Sequence, residues 1–229
     1  MKLVFDIGYN HGEFSRAVLE KHEKCNIIAL EANELLYLNQ VGTIPEVTLI
    51  NSLVSNEDGT EKEFYINYQD GISTASKDFT ENSRFAAGSK YVYNTGGWDT
   101  AVQVNTVTLD SIISKYGIPD LIKVDVEGYE RTVLDGLSKK VPLLCFEFHE
   151  EFTLDGIACL DHLDSIGFSE FGLIGFFDEG DIFDNLTYSS EGDPYMTEPE
   201  RFISLCDMKE AISLFDPQRR VNYGMMYAR

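Results

Sequence analysis

The sequence predicts an α/β protein built on an open, mostly parallel sheet with helices on both faces. Three observations carry that expectation. Short apolar runs alternate with segments of helical periodicity; the first run stops at an acid and enters a glycine-rich turn; and later runs also stop at polar or acidic residues. Such alternation implies parallel strands joined by right-handed crossovers.

The elements follow in chain order. Residues 3–7 have the composition of a buried strand, and Phe14, Ala17 and Val18 place a first crossover helix over 14–21. Residues 26–30 form the second strand, 35–40 a short helix and 47–50 the third strand, each strand leaving on a polar side chain, Glu31 and Asn51. The pattern then breaks. An insertion over about 52–120 carries two alternating segments, 63–67 and 102–107, that read as half-exposed strands. Between them lie Ser73, Thr74, Ser76, Tyr91, Tyr93 and Trp98 in a loop-like setting, and loops of that length usually serve binding. Regular alternation resumes with a helix at 108–116, a strand at 121–124, a helix at 130–137, a strand at 143–148, a helix at 156–166 and a strand at 168–173. A second irregular stretch, 178–198, precedes a helix at 200–215 and a closing strand at 221–227. No repeat or linker divides the chain, so residues 1–229 are expected to form one domain.

Composition narrows the function classes. Asp and Glu number 39 against 18 Lys and Arg, a net charge of −21. A field of that sign opposes nucleic acid and anionic membrane surfaces, so neither is an expected partner. The four cysteines show no C-x-x-C spacing, and Cys25, Cys145 and Cys159 fall in apolar or helical patterns, which suits buried free thiols in a reducing compartment. With strand one starting at residue 3 and no apolar run of membrane-spanning length, the expected location is the cytoplasm.

The first turn, Asp6-Ile7-Gly8-Tyr9-Asn10-His11-Gly12, spells D-x-G-x-N-x-G rather than the dinucleotide G-x-G-x-x-G. An acid ahead of the glycines serves a pyrophosphate poorly and a ligand with a cationic end well. That points to S-adenosylmethionine. Glu31, just past the second strand, is placed to accept both ribose hydroxyls. Asp125, in the string Asp125-Val126-Glu127-Gly128-Tyr129-Glu130, points into the expected cleft; Glu127 reads equally as a turn-stabilising carboxylate. Glu147 and His149 share one face of the next strand exit, and an imidazole is the commonest general base. His149 is therefore the first candidate to deprotonate an acceptor, and Asp125 the second. Asp125, Glu147 and His149 also have the chemistry of hard-ion ligands, a minor reading, and no metal site is assigned.

Together these residues resemble the FkbM family of S-adenosylmethionine-dependent methyltransferases. The resemblance rests on residues 4–15, Thr108-Leu109-Asp110, residues 122–130 and Glu147-Phe148-His149. It implies a Rossmann-like class I methyltransferase fold, a seven-stranded sheet whose last strand is antiparallel. It also implies cofactor contacts at Asp6, Gly8, Asn10, Gly12, Glu31 and Asn51, and O-methylation of a sugar, glycan or small metabolite. Two departures are visible: Tyr9 stands where a small residue is usual, poised to cover the methionine end, and Ala32 replaces a common proline. The alternatives are an NAD-dependent oxidoreductase, which lacks its glycine spacing here, and a non-catalytic nucleotide-binding protein on the same fold.

Overall fold

The computed structural model describes residues 1–89, 96–176, 199, 201–213 and 223–229. Strands β1 (Leu3–Ile7), β2 (Asn26–Glu31) and β3 (Val47–Asn51) alternate with helices α1 (Glu13–Lys21) and α2 (Glu34–Gln40). The insertion folds as β4 (Leu53–Val54), β5 (Glu61–Ile66), α3 (Lys77–Asn82) and β6 (Thr100–Val107). Then come α4 (Leu109–Tyr116), β7 (Leu121–Val124), α5 (Glu130–Leu134), β8 (Leu144–His149), α6 (Thr153–Ser165), β9 (Phe171–Phe176), α7 (Leu205–Ser213) and β10 (Tyr223–Ala228).

Seven strands form one sheet in the order β3-β2-β1-β7-β8-β10-β9. β1 pairs in parallel with β2 and β7, and β8 in parallel with β7, while β10 runs antiparallel between β8 and β9. The chain reverses its winding direction between β1 and β7, the place where ligands bind in open α/β sheets. This is the Rossmann-like class I methyltransferase sheet. Alternate side chains of each strand enter opposite layers. Phe5, Ile7, Ile28 and Leu30 face the helices α4, α5, α6 and α7, whereas Val4, Ile27 and Ala29 face α1 with Phe14 and Val18. The insertion adds a three-stranded sheet, β4-β6-β5, whose β5 and β6 are antiparallel.

Several boundaries differ from the sequence reading. The helix expected at 156–166 starts at Thr153, because Gly156 lies inside it: a Cβ there would stand 2.7 Å from the Phe148 ring. The strand expected at 168–173 is Phe171–Phe176, since Phe168 is a buried plug just after the Gly167 turn (φ 106°), not the first strand residue. The helix expected at 130–137 stops at Leu134, where Gly136 and Leu137 close back on the carbonyls of Val133 and Leu134. Of the helix expected at 200–215, Leu205–Ser213 is helical. Tyr91, Tyr93, the stretch 178–198 and residues 200, 214, 215, 221 and 222 lie outside the described residues. Cys25, Cys145 and Cys159 are buried free thiols and Cys206 is exposed. Among the described residues no helix is long and apolar enough to cross a membrane.

Candidate active site

The turn after β1 hangs from the end of β2. The amides of Gly8 and Tyr9 both donate to the Leu30 carbonyl, 3.1 Å each, and Asn10 (φ 50°) turns its amide onto Glu31 Oε2 at 2.8 Å. Glu31 Oε1 accepts from the Asn33 amide at 2.7 Å. The carboxylate is 6% exposed, and burial raises its pKa against the lowering effect of those two amides. Gly8 (φ 82°) is required by packing: a Cβ would sit 1.8 Å from the Asp125 carbonyl oxygen, so the turn lies directly on the exit of β7.

Beneath the turn sits a charge cluster. Lys123 Nζ donates to the Gly8 carbonyl at 2.8 Å and lies 3.4 Å from Asp6 Oδ1 and 3.5 Å from Asp125 Oδ2. Burial works against the ammonium's charge, but Asp125 and Asp6 prevail and hold its pKa above the usual lysine value. Asp6 has no exposed surface and accepts from Ser15 Oγ at 2.7 Å. Its pKa is raised by burial, which outweighs Lys123.

Together these walls enclose a cavity of about 330 Å³ lined by Gly8, Asn10, Glu31, Lys123, Asp125 and Glu127, among others. The insertion supplies its opposite wall through Asp70, Gly71, Ser73 and Ala75. Trp98 anchors that wall, its indole donating to the Ile72 carbonyl at 2.9 Å and its ring meeting Phe79 edge-on. His11 links the turn to the insertion, with Nε2 3.1 Å from Asp70 Oδ2.

Of the cofactor residues inferred from sequence, Gly8, Asn10 and Glu31 line the cavity, whereas Asp6, Gly12 and Asn51 do not. Asp6 lies under the turn with Lys123. Gly12 (φ 76°) lies against the Tyr9 ring, a Cβ there falling 2.4 Å from the hydroxyl. Tyr9 is 3% exposed, packed in the layer around Phe14, and both residues also line the cavity. Asn51 Nδ2 donates to the carbonyls of Glu31 and Ala32, holding the loop that presents Glu31. Sequence reasoning missed Lys123 as a site residue; within the wall at 70–75 it singled out Ser73 and Thr74 in a loop expected to serve binding, but not Asp70, Gly71 or Ala75. Lys123 carried a signal, since a lysine inside an otherwise apolar strand needs buried partners.

The β7 and β8 exits form a second group. Glu130 Oε1 accepts from the amides of Val126 and Gly128, at 3.0 and 3.3 Å, so Glu130 is the turn-stabilising carboxylate. Burial pushes its pKa up to about 7. Glu127 takes a left-handed conformation (φ 57°), its carbonyl fixed by Thr74 Oγ1 at 2.7 Å. Its carboxylate is left to meet Glu147 and His149. His149 Nε2 lies 3.0 Å from Glu147 Oε2 and 3.8 Å from Glu127 Oε2. Burial first, then a neighbouring charge (Glu147 for Glu127, Asp125 for Glu147), raises both carboxyls well above the ordinary range. His149 is 5% exposed, does not line the main cavity, and packs against the rings of Phe79 and Tyr223.

Residues 6–170 match the methyltransferase FkbM domain model. This chain belongs to the FkbM methyltransferase family. Its cofactor is S-adenosylmethionine, and the activity class of the family is methyl transfer. Several solved structures are similar to this FkbM domain. A precorrin-6y C5,15-methyltransferase from Geobacter metallireducens GS-15 shares 10% identity at a TM-score of 0.46, over 100% of this chain and 79% of that one. A TehB-like SAM-dependent methyltransferase from Corynebacterium glutamicum shares 10% at 0.40, over 78% and 74%. The StiE O-MT fragment 942–1257 shares 10% at 0.43, over 99% of this chain and 66% of that one. No curated protein matches the sequence.

Proposed function

We propose that this FkbM methyltransferase methylates a hydroxyl oxygen on a sugar, glycan or small metabolite. The observation that carries the reading is the adjacency of two groups. The cofactor cavity ends at Asp125 and Glu127, and directly behind Glu127 stand Glu147 and His149. Sulfonium displacement has a good neutral leaving group, so the protein's first task is to align the acceptor with the methyl carbon. A hydroxyl acceptor adds a second task, removal of its proton, for which His149 is the nearby nitrogen base and Asp125 the carboxylate on the cavity wall. Within the cofactor cavity, Glu31 is placed for the ribose hydroxyls, its two oxygens already oriented by the Asn10 and Asn33 amides. Gly8 and Asn10 bring main chain against the same ligand, and Asp125, held by Lys123, faces the cationic sulfonium end. The protein's strongly negative charge favours a neutral or cationic acceptor over a phosphorylated one.

The test has two stages. Calorimetric titration with S-adenosylmethionine, S-adenosylhomocysteine and NAD should show binding of the two sulfur compounds alone. The loaded enzyme is then offered a panel of sugars, polyols, phenols and matched amines, with S-adenosylhomocysteine release as the readout. Transfer to hydroxyl acceptors, with an O-methyl signal in the product's NMR spectrum, supports the proposal. Turnover confined to amine acceptors would overturn it.

A further inference from the structure

The group behind the cofactor cavity does not satisfy itself. Glu127 Oε2, Glu147 Oε2 and both ring nitrogens of His149 are buried, with no hydrogen-bond partner among the described residues. The 3.0 Å approach of His149 Nε2 to Glu147 Oε2 lacks hydrogen-bond direction. Glu147 is 8% exposed and His149 5%, so neither side chain is solvated in compensation. Buried carboxylates side by side with unmet acceptor atoms are costly, and a cation between them removes both the repulsion and the unmet acceptors.

We propose that Glu127, Glu147 and His149 form a binding site for one divalent cation. One ligand atom from each residue falls within 4.8 Å of the others. The 3.0 Å from His149 Nε2 to Glu147 is the separation of groups around a common ion, and the 3.8 Å to Glu127 lies a few tenths of an ångström beyond it, about the movement an arriving ion would draw from that side chain. Ligands about 2.0–2.2 Å from an ion stand about 3.0–3.6 Å apart in octahedral or tetrahedral arrangement. Two carboxylate oxygens with one imidazole nitrogen suit a borderline ion such as manganese, iron(II) or zinc better than calcium. The turn at Val126-Glu127-Gly128 supports the assignment. Glu130 already serves its amides, so the Glu127 carboxylate is not needed for the turn and is aimed instead at His149.

Three protein ligands leave coordination positions open on the side of Glu127, which lines the cofactor cavity. What the ion does there rests on the methyl-transfer proposal; that it binds does not. An acceptor hydroxyl reaching the ion would be held through its oxygen and have its pKa lowered, the proton passing to solvent. With the ion bound, His149 serves as its ligand, and of the two bases named for the proposed reaction Asp125 remains on the cavity wall.

The experiment is metal binding by the full chain in the absence of cofactor and acceptor. Protein stripped with a chelator is titrated with manganese, zinc and magnesium chlorides, by calorimetry and, for manganese, by loss of the free-ion EPR signal. Manganese or zinc should bind one per chain, and His149→Ala or Glu147→Gln should weaken binding at least about tenfold. Glu127→Gln, at the more accessible ligand, provides a variant with little risk to folding and should weaken binding too. Circular dichroism and S-adenosylhomocysteine titration report the integrity of each variant. Absence of uptake of all three ions by stripped wild-type protein that still binds S-adenosylhomocysteine would overturn the site. So would uptake that is unchanged in all three variants. Failure of the cofactor reading would appear separately, as wild-type protein that binds manganese but not S-adenosylhomocysteine.

Discussion

Replacement of Lys123 by Met tests whether the buried charge cluster holds the cofactor turn on the sheet. Methionine keeps the length and apolar stem of lysine but removes the ammonium that joins Asp6, Asp125 and the Gly8 carbonyl. At 3.4 and 3.5 Å each carboxylate gains several kcal/mol from the ammonium, about 5 kcal/mol at an effective dielectric of about 20. Much of that is offset by the desolvation of Lys123 itself. The loss on breaking a buried pair from one side, about 3–5 kcal/mol, is the better expectation, because Asp6 is left with no exposed surface and, among the described residues, Ser15 as its side-chain hydrogen-bond partner. In urea that loss moves the unfolding midpoint down by about 1–2 M for a slope of about 3 kcal/mol/M. The pH dependence fixes its origin. Asp6 already has a raised pKa from burial, and losing Lys123 raises it further. Where the folded pKa exceeds the unfolded value of 3.8, the folded state binds the extra proton, so stability falls as pH rises from the unfolded to the folded pKa. The deficit of Lys123→Met should therefore be small in acid and full at neutral pH. Asp6→Asn combined with Lys123→Met should recover part of it. A deficit below about 1 kcal/mol at neutral pH, or one that Asp6→Asn does not relieve, would refute the reasoning.

Three further outcomes are expected. Glu31→Ala removes charge-assisted hydrogen bonds worth about 1.5–3 kcal/mol, so S-adenosylhomocysteine affinity should drop about 10- to 150-fold by calorimetry. Gly8→Ala forces a Cβ against the Asp125 carbonyl at positive φ, which should lower the melting temperature and weaken cofactor binding together. His149→Ala should cut turnover with a hydroxyl acceptor by about 10²- to 10⁴-fold while S-adenosylhomocysteine affinity stays within about twofold. A fall in affinity to match the turnover would place His149 at the cofactor instead.

The sequence determined the parts of this protein that depend on nearby residues. Apolar runs and helical spacing located the strands of the parallel half, because the burial of each element is written in its own periodicity. The turn from Asp6 to Gly12 and the exits at Glu31, Asp125, Glu147 and His149 were legible for the same reason. Tertiary structure decided what those residues touch. Asp6 reads as a ligand contact by position, yet it lies beneath the turn because Lys123, on a strand far along the chain, reaches it through the parallel pairing of β1 with β7. Gly12 reads as room for a ligand, and its space is taken by Tyr9. Glu127 and Glu130 are indistinguishable as turn carboxylates in sequence. Only the left-handed backbone at Glu127 and the fold of α5 assign the amides to one and leave the other facing Glu147 and His149. The wall from Asp70 to Ala75 was legible only as part of a long insertion suited to binding, since an irregular segment has no period and its position is set by Thr74 and Trp98 binding distant main chain. Element and turn are local consequences of residue pattern; the identity of a side chain's partner is settled only when β1, β7 and β8 are laid side by side.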